Sequence, residues 1–76
     1  MTTLAQLSVG ASGRVLRVNQ LDEVSTRLME MGLTPGVDVQ VLGTAPLGDP
    51  IELALRGYRL SIRRSEAARV EVEQSR

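Results

Sequence analysis

RLMEMGLTPGVDVQVLGTAPLGDPIELALRG, residues 27–57, predicts in order a helix end, a tight turn, a strand, a rigid loop and a second strand. The helix is expected to end before Gly32, which can adopt the left-handed conformation that caps a helix, and Leu33 can then pack back onto Leu28. Residues 34–37 predict a type II turn, since proline fixes its first central position and glycine accepts a positive φ at the second.

Apolar residues alternate with polar ones in three segments, which predicts strands that bury one face. Their inward positions are Val37, Val39 and Val41, then Ile51, Leu53 and Leu55, and finally Leu60 and Ile62. A two-residue turn at Gly57 and Tyr58 is expected to join the last two strands, with Leu55 opposite Leu60. The other pairs of this register are Leu53 with Ile62, Glu52 with Arg63, Ala54 with Ser61 and Arg56 with Arg59.

A strand and a helix are expected on the N-terminal side of the turn at residues 34–37. Residues 13–19 predict a strand with a bulge or bend near Leu16, because Val15 and Val18 cannot both face inward in a flat strand. From residue 21 the apolar spacing changes to that of a helix capped by Asp22. The positions expected on its buried face are Leu21, Val24, Leu28 and Met31.

The C-terminal segment is expected to add one helical turn at residues 65–69 and a short strand with Val70 and Val72, before residues 74–76 fray. Short antiparallel strands that share one apolar face favour a closed or nearly closed barrel. The sequence therefore predicts a mainly β fold, a small barrel of about five antiparallel strands with one α-helix inserted between strands 1 and 2. Residues 1–76 are expected to form a single domain.

Composition argues against several functions. The 76 residues contain no cysteine and no histidine, and all nine basic residues are arginine. Without the most common general bases, nucleophiles and metal ligands, the sequence predicts no enzyme activity, no catalytic residue, no cofactor and no dedicated metal site. Nine acidic residues bring the net charge to zero and Tyr58 is the lone aromatic residue, which argues against nucleic-acid binding. No apolar stretch has the length of a membrane span, so we expect a cytoplasmic protein without direct membrane insertion.

Three ordered motifs resemble those of the FeoA family: MGLTPG at residues 31–36, APLGDPI at residues 45–51 and LSIRRSEA at residues 60–67. Met31 is a mild departure, since leucine is more usual there. The resemblance implies an SH3-like barrel with an inserted helix, in a small cytoplasmic protein of bacterial ferrous iron uptake. Its implied partner is FeoB, a membrane transporter with a cytosolic GTP-binding domain. The fold also resembles the C-terminal barrel of DtxR-type iron-dependent repressors, so a metal-sensing or regulatory domain is the alternative.

Six residues are candidates for contact with a partner protein. Two prolines stiffen residues 45–51, which predicts an exposed Leu47 that forms a shallow apolar patch beside Tyr58. The arginines of residues 56–64 suit an acidic partner or a phosphate, and one of them could act as an arginine finger toward GTP. The alternative interpretation is a solvated face whose charges pair with nearby glutamates. The candidate partner-binding residues are Pro46, Leu47, Arg56, Tyr58, Arg59 and Arg63.

Two further expectations concern charge and assembly. Glu71 and Glu73 share one face of the last strand, and they are interpreted as solvated edge charges and not as a metal site. The oligomeric state stays open, with a weak homo-oligomer among the alternatives.

Overall fold

An antiparallel β-sheet forms most of the fold in the computed structural model, which describes residues 2–75. Within these residues the six strands are β1 (Thr2–Thr3), β2 (Ser12–Val18), β3 (Asp38–Thr44), β4 (Ile51–Leu55), β5 (Tyr58–Ile62) and β6 (Val70–Ser75). They lie in the order β1-β6-β2-β3-β4-β5. The helices are α1 (Glu23–Glu30), α2 (Arg64–Ala67) and a 3₁₀ helix at Leu4–Gln6. The mainly β class is confirmed, with one strand more than predicted because β1 pairs with β6.

None of the helices in residues 2–75 is long and apolar enough to cross a membrane.

The helices lie against a core that is built from aliphatic side chains at alternate strand positions. Burying each such side chain contributes about 1.5–3 kcal/mol, so packing on one face of the sheet is the main stabilising interaction. The most deeply buried apolar side chains are Leu4, Val15, Leu28, Leu33, Val39, Val41, Ile51, Leu53, Ile62, Ala67 and Val70.

Strand β2 contains the predicted bulge. Its pairing with β6 shifts by one residue between Val15 and Arg17, which leaves Leu16 without a partner in the ladder. The extra residue turns Val15 and Val18 to the same face, and both are buried. A second register shift, in β3 just after Val41, is not predicted by the alternation of apolar residues.

The N-terminus of α1 is fixed by the predicted cap, Asp22. Its Oδ1 accepts a hydrogen bond from the backbone N–H of Ser25, and its own backbone N–H donates to Ser25 Oγ, both at 3.0 Å. These two bonds satisfy donors that a helix start leaves free. Because Leu21 precedes the cap, it lies outside the helix with 93% of its surface exposed, so its predicted place on the buried face is wrong.

The C-terminus of α1 has the predicted glycine cap. Gly32 has a φ of +113°, its N–H donates to the carbonyl of Met29 at 3.0 Å, and the N–H of Leu33 donates to the carbonyl of Leu28 at 3.1 Å. This pair of bonds is a Schellman motif, which satisfies the last helical carbonyls. The chain then turns at Gly36, whose φ of +93° is the one a type II turn requires.

The β4–β5 hairpin has a different register from the predicted one. Arg56 and Gly57 have positive φ values of +49° and +83°, so these two residues form a type I′ turn. Pairing therefore begins with Leu55 opposite Tyr58. The other observed pairs are Ala54 with Arg59, Leu53 with Leu60, Glu52 with Ser61 and Ile51 with Ile62. The predicted turn and all five predicted pairs are wrong.

This difference amounts to a slip of two residues, which leaves every side chain on its predicted face. Leu53 and Ile62 are buried, as predicted. Arg56 lies at the hairpin tip and does not face Arg59. Tyr58 shares the inward side of β5 with Leu60 and Ile62.

Strand β6 extends farther than predicted. Helix α2 supplies the predicted helical turn, and Val70 and Val72 after it are buried. Gln74 and Ser75 remain paired with β2, so the predicted fraying is wrong for these two residues. Arg76, the last residue for which fraying is predicted, lies outside the described residues.

Candidate functional site

The loop at residues 45–50 is held in place by Arg64. The backbone N–H of Arg64 donates to Asp49 Oδ1 at 2.9 Å, and its Nε donates to the carbonyl of Gly48 at 2.9 Å. Its Nη1 donates to the carbonyl of Ala5 at 2.8 Å. The sequence placed Arg64 among the arginines available to an acidic partner, whereas the structure shows that its guanidinium binds carbonyl groups of its own chain.

Leu47 lies at the tip of this restrained loop with 97% of its surface exposed. The loop is closed by two further backbone bonds, from Ala45 to the carbonyl of Pro50 at 3.0 Å and from Gly48 to the carbonyl of Ala45 at 2.7 Å. Pro46 is also exposed. A leucine on a restrained backbone loses little conformational freedom on binding, which suits contact with an apolar pocket of a partner.

Leu47 and Tyr58 lie at opposite ends of β4. The loop that carries Leu47 enters β4 at Ile51, whereas Tyr58 pairs with Leu55 at the other end. At roughly 3.4 Å per residue, the strand separates the two ends by roughly 13 Å. The expectation that the two side chains form one apolar patch is therefore wrong. Each of them remains a separate prediction as a partner-binding residue.

Tyr58 instead fastens the hairpin to α1. Its hydroxyl donates a hydrogen bond to the carbonyl oxygen of Met31, and its side chain stays 42% exposed. Gly32 lies directly beside this hydroxyl, and a Cβ at Gly32 would overlap it. Gly32 is therefore required both for its positive φ and for the space that it leaves to Tyr58.

Three arginines on the hairpin and just after it have no carboxylate partner. Within residues 2–75 no carboxylate lies within 4.0 Å of the guanidinium groups of Arg56, Arg59 or Arg63. All three side chains are exposed. The ion pairs that do form are Arg14 with Asp38, Arg17 with Glu71, Arg27 with Glu66 and Arg69 with Asp22. Three arginines without an ion pair therefore lie along β5, from the hairpin tip to the residue that follows the strand.

A shallow groove lies at the C-terminal end of β5. Glu66 accepts a hydrogen bond from the backbone N–H of Arg63 at 2.9 Å and pairs with the guanidinium of Arg27, which joins α2 to α1. The sequence gives no signal for this contact, because Arg27 and Glu66 are 39 residues apart. The groove is lined by Arg27, Pro50, Ser61, Ile62, Arg63 and Glu66.

A second ion pair fixes the start of α1. Arg69 Nη1 donates to both carboxylate oxygens of Asp22, at 2.6 and 2.7 Å. The hydrogen bond from Arg69, together with that from the backbone of Ser25, lowers the pKa of Asp22 below its ordinary value of 3.8. Asp22 therefore caps the helix and also ties it to the segment that precedes β6.

Glu71 is not an edge charge, because it pairs with Thr3 of β1 and with Arg17 of β2, whereas the described residues of β1 pair with β6 only at Glu71 and Val72. Glu71 is half-buried; its Oε2 accepts from Asn19 Nδ2 at 2.6 Å and its Oε1 lies 3.5 Å from Arg17 Nη1. Glu73 is exposed and lies opposite Arg14 of β2. In the part of the chain that the structure describes, no group of three or more His, Cys, Asp or Glu side chains could hold a metal ion.

Comparison with known proteins adds a family to these observations. A family model described as the FeoA domain matches residues 2–74. A curated relative from Porphyromonas gingivalis, the Fe(2+) transport protein A/Fe(2+) transporter FeoB fusion protein, is 36% identical over 70 residues, which is 92% of this chain. The chain spans only 8% of the length of that fusion protein.

Solved structures share the fold. The solution structure of FeoA from Chlorobium tepidum has a TM-score of 0.87 at 40% identity, and the match covers 95% of this chain and 69% of that one. The crystal structure of Stenotrophomonas maltophilia FeoA complexed with zinc, described as an SH3 domain protein, has a TM-score of 0.87 at 32% identity over 100% and 98% of the two chains. The predicted SH3-like fold is thus confirmed.

A manganese-dependent transcriptional repressor has a TM-score of 0.88 at 18% identity, over 97% of this chain and 36% of its own, which shows the fold alone. The three motifs that resemble the FeoA family lie at the end of α1, in the loop before β4, and in β5 with α2. Because the FeoA domain model matches nearly the whole chain and FeoA proteins at 32–40% identity share its structure, the chain belongs to the FeoA family of ferrous iron transport.

Proposed function

We propose that this protein is a non-enzymatic accessory component of ferrous iron uptake that binds the cytosolic part of a FeoB-type transporter and supports or regulates it. The observation that carries the proposal is the Porphyromonas gingivalis relative, in which a matching segment and a FeoB transporter belong to one polypeptide. Covalent linkage holds two domains at a high effective concentration. A separate chain lacks this linkage, so it must bind the transporter through its own affinity. On this proposal the protein acts in the cytoplasm, where it meets the GTP-binding domain.

The loop at residues 45–50 is the first contact surface that we assign to the transporter. Its hydrogen bonds to Arg64 restrain the backbone, so burying Leu47 costs little conformational entropy. Complete burial of a leucine side chain contributes about 1.5–3 kcal/mol. Since every 1.4 kcal/mol corresponds to tenfold in affinity, Leu47→Ala is expected to weaken binding about tenfold or more.

A titration of the transporter's cytosolic domain with this protein, with and without guanine nucleotide, tests the proposal. Calorimetry should give saturable binding in at least one nucleotide state. Leu21→Ala is a matched control for Leu47→Ala, because Leu21 is 93% exposed but precedes α1 and lies outside the loop. The absence of binding in every nucleotide state would contradict the proposal. If the two leucine variants weakened binding equally, the loop at residues 45–50 would not be a contact surface for the transporter.

The unpaired arginines are the second candidate surface. Arg56, Arg59 and Arg63 are exposed, and each could supply positive charge to the transition state of GTP hydrolysis. Turnover of GTP by the transporter domain should be measured with this protein and with each arginine changed to alanine in turn. Loss of stimulation in one variant that still binds the transporter domain would identify an arginine finger. No stimulation by the unaltered protein would exclude that role and leave binding alone.

The alternative function, a metal-sensing or regulatory domain, has weaker support. Its structural relatives are repressors such as the manganese-dependent repressor at 18% identity and IdeR from T. acidophilum at 20%. Identity this low shows a common fold and does not transfer a function. The FeoB fusion links a more similar sequence directly to transport, so we favour the transporter partner.

A further inference from the structure

In the described part of the chain the sheet has two edge strands, the two-residue β1 and the five-residue β5. Strand β5 is the last in the order and pairs only with β4. An unpaired edge presents a row of backbone donors and acceptors, which can bind another extended chain. Natural proteins usually protect such an edge by covering it, by charging it or by using it for recognition.

The hairpin register determines which backbone groups face this edge. The residues that flank a two-residue turn form a hydrogen-bonded pair, and such pairs alternate along an antiparallel ladder. Tyr58, Leu60 and Ile62 therefore direct their backbone groups toward β4, while Arg59 and Ser61 direct theirs away from it. Within residues 2–75 neither Arg59 nor Ser61 forms a further backbone hydrogen bond outside the strand.

Two of the three side chains on the outer side of this edge are positively charged. Arg59, Ser61 and Arg63 occupy alternate positions, so they lie on the outer side of β5 and its continuation. The guanidinium groups of Arg59 and Arg63 have no carboxylate partner in residues 2–75, and the two residues are roughly 13 Å apart along an extended chain. Arg63 also lines the groove at the C-terminal end of β5, so the edge and the groove are continuous.

We infer that the free edge of β5 binds an extended, acidic segment of a partner protein, which adds to the sheet as a further strand. The backbone of the segment bonds to Arg59 and Ser61, and its acidic side chains lie opposite Arg59 and Arg63. Residues on its other side lie beside the half-buried Leu60. The inference deepens the proposed function, on which it rests, because it names how the cytosolic part of the transporter is held.

A second copy of this chain is a poor occupant. If two β5 strands paired around a two-fold axis, the arginines of both copies would lie along the same narrow ribbon. Like charges placed opposite each other on neighbouring strands destabilise their pairing. The same arginines that attract an acidic segment therefore disfavour self-association at this edge.

A short synthetic peptide of alternating glutamate and valine, with blocked ends, tests the inference on the whole protein. Nuclear magnetic resonance titration should give saturable shifts that are largest at the backbone amides of Arg59 and Ser61. A lysine and valine peptide should not bind. Methylation of alternate peptide nitrogens removes backbone donors without altering the protein. When the methylated nitrogens are those that face β5, binding should weaken at least about tenfold.

Variants of the protein distinguish the effect of lost charge on peptide binding from the effect of a destabilised fold. Arg59→Ala and Arg63→Ala should each weaken peptide binding about threefold, and both together about tenfold. Arg14→Ala is the matched control, since Arg14 is exposed on β2, which is paired on both sides. Thermal unfolding verifies that each variant is folded.

Binding that is unaffected by nitrogen methylation, or shifts confined to the loop at residues 45–50, would overturn the inference. Transporter binding that survives the double arginine variant, without any peptide binding, would refute the edge contact and leave the proposed function intact. Peptide binding without transporter binding would refute the proposed function instead.

Discussion

Replacing Gly32 by alanine tests the contact between the hairpin and α1. Gly32 has a φ of +113°, and a residue with a Cβ in left-handed backbone costs about 1–2 kcal/mol. The new Cβ also overlaps the Tyr58 hydroxyl, so Tyr58 must give up its hydrogen bond to Met31. Loss of that bond costs about 1 kcal/mol. Gly32→Ala is therefore expected to lower the free energy of unfolding by about 2–3 kcal/mol.

Gly36→Ala is the matched control for backbone strain. Gly36 has a φ of +93°, and no atom lies within 4 Å of the position that a Cβ would take. Its replacement should cost only the strain of about 1–2 kcal/mol. Tyr58→Phe provides the second arm, because it removes the hydroxyl and leaves the ring carbon Cζ at 3.4 Å from the new Cβ. In that background Gly32→Ala should cost about 1 kcal/mol less.

Urea and thermal unfolding, followed by circular dichroism, measure these differences. For a domain of this size each 1 kcal/mol corresponds to a change in Tm of about 4–8 °C. If Gly32→Ala costs no more than Gly36→Ala, or costs the same with and without the Tyr58 hydroxyl, the contact has no energetic role and the reasoning fails.

Three further predictions concern charged residues. Asp22→Asn should destabilise the protein at neutral pH, and the difference should vanish in acid. The lowered pKa of Asp22 means that its contribution is complete above its ordinary value of 3.8 and is lost as the pH falls through the folded-state pKa; urea unfolding at several pH values measures this. Arg56→Asn should raise the free energy of unfolding by about 0.5–1 kcal/mol, as measured by thermal unfolding, because asparagine tolerates the positive φ of a type I′ turn better than arginine does. Arg64→Ala should speed hydrogen exchange at the amide of Gly48 and leave that of Leu53 unchanged, since the side chain contacts the loop and Ala5 but not the centre of β4.

Features that depend on local chemistry were predictable from the sequence. The glycine after α1 and the cap before it follow from backbone conformation and short-range hydrogen bonds. The bulge in β2 follows from two valines that one flat strand cannot bury together. The hairpin register was not predictable in this way, because a slip of two residues buries the same side chains. It depends on Arg56, an arginine that adopts a conformation usually left to glycine or asparagine.

The candidate site was predictable only as a set of residues. The sequence located the loop with Leu47 and a surplus of arginines, but it could not tell which arginines were engaged. Arg64 and Ala5 are 59 residues apart, and the sequence carries no sign of their contact. The free edge of β5 is likewise a property of the order of strands. Only the three-dimensional arrangement shows that Arg59 has no carboxylate partner whereas Arg64 is bound to carbonyl groups of its own chain.

The polar contacts of α1 set an order of events during synthesis. The partners of Met31, Arg27 and Asp22 lie 27, 39 and 47 residues farther along the chain. An eight-residue helix is too short to be stable alone in water, so we expect the nascent segment to be mostly unfolded before those partners are translated. The ribosome must therefore deliver the chain as far as Arg69 before this helix can complete its polar contacts, so the helix docks long after its own residues are translated.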